Sequence, residues 1–109
     1  MARTTILVPI QKAVDAQTIL STFSNVMSQY GYQEKLVKGE QCWTKGNGVF
    51  VLQQNFGIAI GPDKVVLQGW TGDALMGESS LDGFMGMAIK KKMKKILEEA
   101  QRVISNLVR

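Results

Sequence analysis

The sequence of 109 residues contains no histidine and a single cysteine, Cys42. Histidine is the usual general base and the commonest metal ligand, so its absence removes serine–histidine and cysteine–histidine pairs. A lone thiol forms no internal disulfide and cannot complete a structural zinc site. We therefore expect a protein that is not an enzyme and that requires neither a metal nor another cofactor.

Long apolar stretches are also missing. No stretch approaches the roughly 20 apolar residues that a helix needs to cross a bilayer. The N-terminal residues MARTTILVPI lack the apolar core and the cleavage site of a signal peptide. With 45% apolar and 20% charged residues, the composition is that of an ordinary globular protein. These features predict a single domain over residues 1–109, located in the cytoplasm, with no transmembrane segment.

Hydrophobic periodicity predicts two helices. Apolar residues recur at helical spacing over about residues 15–30, where Asp15 offers an N-cap and Gly31 a C-terminal stop. A second amphipathic stretch predicts a helix over about residues 88–107. Its apolar residues share one face, and Lys, Glu, Gln and Arg occupy the other.

Five short stretches rich in β-branched and aromatic residues predict strands. They cover residues 4–10, 32–38, 41–45, 55–60 and 65–70, and residues 71–80 are predicted to form a loop. The resulting order, β-α-β-β-β-β-α, predicts an α+β fold in which two helices lie on one face of an antiparallel sheet. This order matches the TBP-like fold in outline. Such a topology carries no information about function.

Three motifs lie in the second half of the chain. They are WTKGNG at residues 43–48, a strand that ends in Trp70, and LDGFMGMAIKKKMKK at residues 81–95. Through these motifs, residues 43–100 resemble an uncharacterised family of small bacterial domains of unknown function. Members of that family tend to have proline at the position of Ile89, where it would start the last helix. The resemblance implies an α+β fold and implies no activity.

Strand alternation predicts a face of the sheet that neither helix covers, which we call the open face. If Phe56 faces the helices, Val66 and Trp70 face away from them. Trp43 joins them on the open face if Cys42 points inward. An exposed apolar sheet face commonly marks a binding surface or a subunit contact. We therefore expect a homodimer, or a contact with a protein partner or an apolar small molecule.

Methionines near the predicted loop extend this candidate surface, since methionine adapts readily to binding partners. The predicted ligand- or partner-binding residues are thus Trp43, Val66, Trp70, Met76, Met85 and Met87. Two alternatives to this binding surface remain open. In the first, the methionines fill the core. In the second, residues 49–54 or residues 71–86 cover the open face.

Residues 90–95 contain five lysines, which together exceed the net charge of +4 for the whole chain. The other eight Lys and Arg residues are outnumbered by nine Asp and Glu residues. Helical periodicity directs four of the lysines away from the core: Lys91, Lys92, Lys94 and Lys95. The favoured interpretation is the solvated face of a helix docked on a core. The alternative is a contact with nucleic acid or an anionic membrane surface.

Overall fold

The protein is described by a computed structural model that covers residues 3–46, 52–73, 77–82 and 86–109. Its elements are, in order, β1 (Thr4–Pro9), α1 (Ala16–Gln29), β2 (Gln33–Val37), β3 (Glu40–Lys45), β4 (Gln54–Ile60), β5 (Lys64–Asp73), β6 (Gly77–Ser80) and α2 (Met87–Val108). The predicted α+β class, with an antiparallel sheet and two helices, is confirmed. The finer likeness to the TBP-like fold stays a prediction.

The strands form one antiparallel sheet in the order β1-β5-β4-β3-β2, and β6 pairs with β5. Strand β5 pairs with β1 through residues 64–69 and with β6 through residues 70–73, while β4 occupies its other edge. Strands β1 and β6 therefore follow one another along the same edge of β5. Where they meet, the backbone N–H of Leu81 donates to Oγ1 of Thr4 at 2.9 Å.

Strand β6 was missed by the sequence analysis, which assigned residues 71–80 to a loop. That assignment is wrong, because β5 continues to Asp73 and β6 begins at Gly77. The residues of β6 are Gly-Glu-Ser-Ser, a composition with low intrinsic strand propensity. Pairing with β5 therefore sets the conformation of this segment, rather than local preference.

Both helices pack on one face of the sheet, which we call the covered face. Helix α1 follows Asp15, whose side chain makes no capping hydrogen bond, and the chain then turns at Gly31 with φ of +84°. Both helices agree with their predicted spans to within one residue at each end. Phe56 points into this core, as the alternation assumed, and so does Leu67 of β5. Burying a side chain of this size stabilises the fold by about 1.5–3 kcal/mol.

Gly72 supports the junction of β5 and β6 because it has φ of +91° and no side chain. A Cβ atom at this position would overlap the carbonyl oxygen of Gly77 on the paired strand. We expect Gly72→Ala to lower the free energy of unfolding by about 1–2 kcal/mol for the left-handed backbone. Steric overlap should add about 1–3 kcal/mol more.

Gly39→Ala is the matched control. Gly39 has a similar φ of +83°, but no atom lies within 4 Å of its added Cβ, so only the backbone cost applies. Urea denaturation of both variants measures the difference. Equal losses of stability would show that the β5–β6 pair does not constrain Gly72.

Candidate functional site

Trp43 lies on the covered face, which contradicts its predicted position on the open face. Its ring meets Phe23 of α1 edge-on, with centroids 5.0 Å apart. Its Nε1–H donates to Oγ of Ser24 at 3.3 Å. In the sheet it stands opposite Phe56, and directly paired residues share a face. The prediction was wrong because it assumed that Cys42 points inward, whereas Cys42 lines the open face.

The other predicted contact residues fall into three groups. Val66 and Trp70 lie on the open face, as predicted. Met87 is the first residue of α2 and is 59% exposed. Met76 and Met85 lie outside the described residues. No common surface is therefore established for the six predicted residues.

Trp70 is only 3% exposed, although no helix covers it. The guanidinium carbon of Arg3 lies 3.6 Å from the centroid of its ring. An added Cβ at Gly57 of β4 would lie 3.4 Å from the indole. The missing side chain thus lets the ring lie close to the neighbouring strand. A desolvated cation–π contact of this kind contributes about 2 kcal/mol.

All five N–H groups of the Arg3 guanidinium are used in hydrogen bonds. Nε and Nη2 donate to the two carboxylate oxygens of Glu78, at 2.9 and 2.8 Å. Nη1 and Nη2 donate to those of Glu40, at 2.7 and 2.9 Å. Nη1 also donates to Oε1 of Gln68 at 3.1 Å. We call the four residues around Arg3 the guanidinium cage: Glu40, Gln68, Trp70 and Glu78.

Charge pairing in the guanidinium cage changes the pKa values of Glu78 and Arg3. Hydrogen bonds from Arg3 lower the pKa of Glu78 below its ordinary value of 4.5. Hydrogen bonds to Glu78 and Glu40 raise the pKa of Arg3 further above its already high value. Arg3 therefore stays charged, and the two carboxylates hold a permanent cation against the indole of Trp70.

A cavity of about 160 Å³ adjoins the guanidinium cage on the open face. Val37, Cys42 and Asn55 line it beyond the cage. The amide of Asn55 is buried and donates to the carbonyl of Gly72 at 2.7 Å. Burial raises the pKa of the Cys42 thiol to about 11, so the thiol is protonated at neutral pH and is a poor nucleophile. This chemistry suits recognition better than covalent catalysis.

A row of apolar side chains crosses the open face on three adjacent strands. Leu7 of β1 stands opposite Val66 of β5, which stands opposite Ala59 of β4. Leu7 is 57% exposed, Ala59 is exposed and Val66 is half-buried. We call these three residues the apolar row. Among the described residues, these three neighbouring side chains keep apolar surface accessible on the open face, whereas Arg3 covers Trp70.

The lysines at the start of α2 divide into one buried residue and four exposed ones. Lys90 is 1% exposed and donates from Nζ to Oγ of Ser79 at 2.7 Å, so it does not belong to the surface cluster. Lys94 pairs with Asp82 at 2.9 Å. The exposed lysines are, as predicted, Lys91, Lys92, Lys94 and Lys95. Across the described ranges, Lys94 is the member of this group that forms a salt bridge.

Comparisons with protein-family models, curated proteins and solved structures give no match. The resemblance of residues 43–100 to a family of bacterial domains therefore stays a prediction. Within the described part of the chain, no helix is long and apolar enough to cross a membrane. The same residues contain no group of three or more Asp, Glu or Cys side chains placed to hold a metal ion.

Glu78 should give the protein a stability that depends on pH. Because Arg3 lowers the pKa of Glu78 in the folded state, the unfolded chain binds this proton more tightly. The stabilisation is therefore present above the ordinary pKa of 4.5 and is lost as the pH falls through the lower folded pKa. Glu78→Gln removes this titration. We expect its free energy of unfolding to fall less than that of the wild type between about pH 6 and pH 3.

Urea denaturation across this pH range measures the effect, and Glu98→Gln provides the control at an exposed position on α2. At neutral pH, Glu78→Gln should itself cost about 1–3 kcal/mol, since it weakens hydrogen bonds to a charged partner. If Glu78→Gln and the wild type showed the same pH dependence, the pairing with Arg3 would not contribute to stability.

Proposed function

We propose that the protein is a non-enzymatic assembly and binding module whose open sheet face contacts a second copy of the chain. The apolar row carries this proposal. Its side chains lie next to one another on three neighbouring strands, on the face opposite both helices. Adjacent apolar side chains in water favour a contact that buries them.

A twofold axis through the apolar row would place each copy of the row on its counterpart. Such isologous contacts generate cyclic dimers, the commonest assemblies of soluble homo-oligomers. The flanking positions Thr5 and Gln68 are polar and suit the rim of an interface. Ala59 is small and exposed, so a second sheet can approach closely at this point.

The polar groups of the open face support recognition rather than catalysis. Glu40 and Glu78 are both engaged by Arg3, and the Cys42 thiol is protonated at neutral pH. A general base or a nucleophile needs a pKa matched to its task. The alternative occupants of the open face are an apolar small molecule and a different protein. Native mass spectrometry of the purified protein would detect either one through the added mass.

Leu7→Lys should disrupt the proposed dimer, because it places an unpaired charge within the apolar row of the interface. We expect the wild type to dimerise at micromolar concentrations and the variant to bind itself about a hundredfold more weakly, equivalent to about 3 kcal/mol. Sedimentation equilibrium over a range of concentrations measures both. A monomeric wild type at high micromolar concentration would refute a dimer on the open face.

Leu36→Lys is the matched control for this substitution. Leu36 is the more exposed leucine, at 75%. It pairs with Gln41 on the side of the sheet that carries Trp43, away from the apolar row. The same chemical change there should leave the dimer intact. Equal weakening by both substitutions would indicate a general effect of charge and not an interface at the apolar row.

The exposed lysines of α2 support a second candidate function, an electrostatic contact with nucleic acid or an anionic membrane surface. Four of them project from one helix: Lys91, Lys92, Lys94 and Lys95. This candidate ranks lower for two reasons. The first is that fewer charges are available, because Lys90 is buried and Asp82 neutralises Lys94. In addition, the apolar face of α2 is buried in the core, so the helix has no free apolar face to insert into a membrane.

Replacement of these four lysines by glutamine tests the second candidate. We expect the variant to fold normally, because exposed substitutions usually change stability by less than about 0.5 kcal/mol each. We also expect its retention on heparin to stay weak, like that of the wild type. Four other exposed lysines serve as a control with the same change of charge: Lys12, Lys35, Lys38 and Lys64. Strong, salt-sensitive retention lost only in the α2 variant would favour the second candidate.

A further inference from the structure

The guanidinium cage matches its occupant at every polar atom. A guanidinium is planar and carries five N–H donors in a fixed fork. In the cage each donor has an acceptor, and the flat face of the cation rests on the indole of Trp70. An ammonium has three donors and no plane, so it satisfies only part of this arrangement. The cage therefore has the chemistry of a site selective for guanidinium.

The guanidinium cage also requires a cation. Glu40 and Glu78 both point at the same position above Trp70, and Arg3 neutralises them there. Without Arg3, two carboxylates would face each other over an apolar ring. Their side chains are 45% and 24% exposed, so an ion from solution can reach them once the position above Trp70 is empty.

Arg3 occupies this position without being part of a strand. The pairing of β1 with β5 begins at Thr4, opposite Gly69. The Arg3 side chain can therefore leave the cage while every strand pair of β1 remains in place. Its hydrogen bonds to Glu40 and Glu78 span 37 and 75 positions of sequence, so the contact is tertiary and can open independently of local structure.

The cavity beside the guanidinium cage provides room for more than the cation. Its volume of about 160 Å³ corresponds to about five water molecules, enough for a short aliphatic stem. Val37 offers an apolar wall, and the buried Asn55 and Cys42 lie deeper on the sheet. A side chain or small molecule that places a guanidinium in the cage can therefore lay its stem in the cavity.

From this arrangement we propose that the guanidinium cage and its cavity form a binding site for a guanidinium-bearing ligand, in which Arg3 is the ligand supplied by the chain itself. A peptidyl arginine or a free guanidino compound competes with Arg3 for the position above Trp70. Arg3 thereby keeps the site closed until a competing ligand displaces it. The site is distinct from the apolar row and does not depend on dimer formation.

The test uses Arg3→Ala, which empties the guanidinium cage. N-acetyl-arginine amide represents a peptidyl source, and N-acetyl-lysine amide is its control with the same charge. Agmatine represents a free guanidino compound. We expect saturable changes in tryptophan fluorescence and in the melting temperature with one or both guanidinium probes. At ten times Kd, bound probe should lower the unfolding equilibrium constant about elevenfold. Binding of only one probe identifies the source that the cavity prefers.

Two further variants make the result specific. Arg3→Ala combined with Glu78→Gln should weaken binding of the guanidinium probes at least tenfold, because it removes a negative charge and replaces one of the two acceptor oxygens of Glu78 by an NH2 donor. The wild type should show no saturable response at the same concentrations, since Arg3 competes for the cage. If Arg3→Ala does not fold, the probes are added to Arg3→Met instead, which retains an apolar stem over Trp70. The variant used in this way is called the host. The proposal is overturned if neither guanidinium probe binds saturably to the host, or if the lysine probe binds equally well.

Discussion

The contact between Arg3 and Trp70 determines what the open face of the sheet presents. Through its side-chain partners, Arg3 joins three strands: β3 through Glu40, β5 through Trp70 and Gln68, and β6 through Glu78. Removing a guanidinium from water is costly, and five hydrogen bonds with good geometry offset that cost. Strand β6, whose residues have little strand propensity, is held by backbone pairing with β5 and by the side-chain contact of Glu78 with Arg3.

The two faces of the sheet thus have different energetic roles. The covered face holds aromatic side chains in edge-on pairs, Phe23 with Trp43 and Tyr32 with Phe56, each with centroids 5.0 Å apart. Such pairs add about 0.5–1.5 kcal/mol beyond the burial of their area. The open face uses a charged cluster to cover its one tryptophan and leaves the apolar row accessible. Stability therefore comes mainly from the first face, and the features that suit recognition lie on the second.

Local patterns predicted much of this fold but little of the candidate site. Phe56 was placed correctly because strict alternation around it has one solution, whereas Cys42 and Trp43 are adjacent and both apolar, so alternation alone does not decide between them. Lys90 was left out of the exposed group, and the pattern agrees with its burial, since it precedes Met93 by three residues and Leu97 by seven and thus lies on the apolar side of α2. The guanidinium cage has no local signal, because its members meet only through the sheet.

The guanidinium cage and the apolar row belong to one surface and are connected through Gln68. Its Oε1 accepts a hydrogen bond from Arg3 at 3.1 Å, and its Nε2 donates to Oγ1 of Thr5 at 3.5 Å. Thr5 and Gln68 are paired residues that lie next to the apolar row. Under the two proposals above, a ligand that displaces Arg3 would change the partner of Gln68 and release a cation next to the apolar row. Since like charges across a twofold contact repel each other, that release would raise the electrostatic cost of bringing two open faces together.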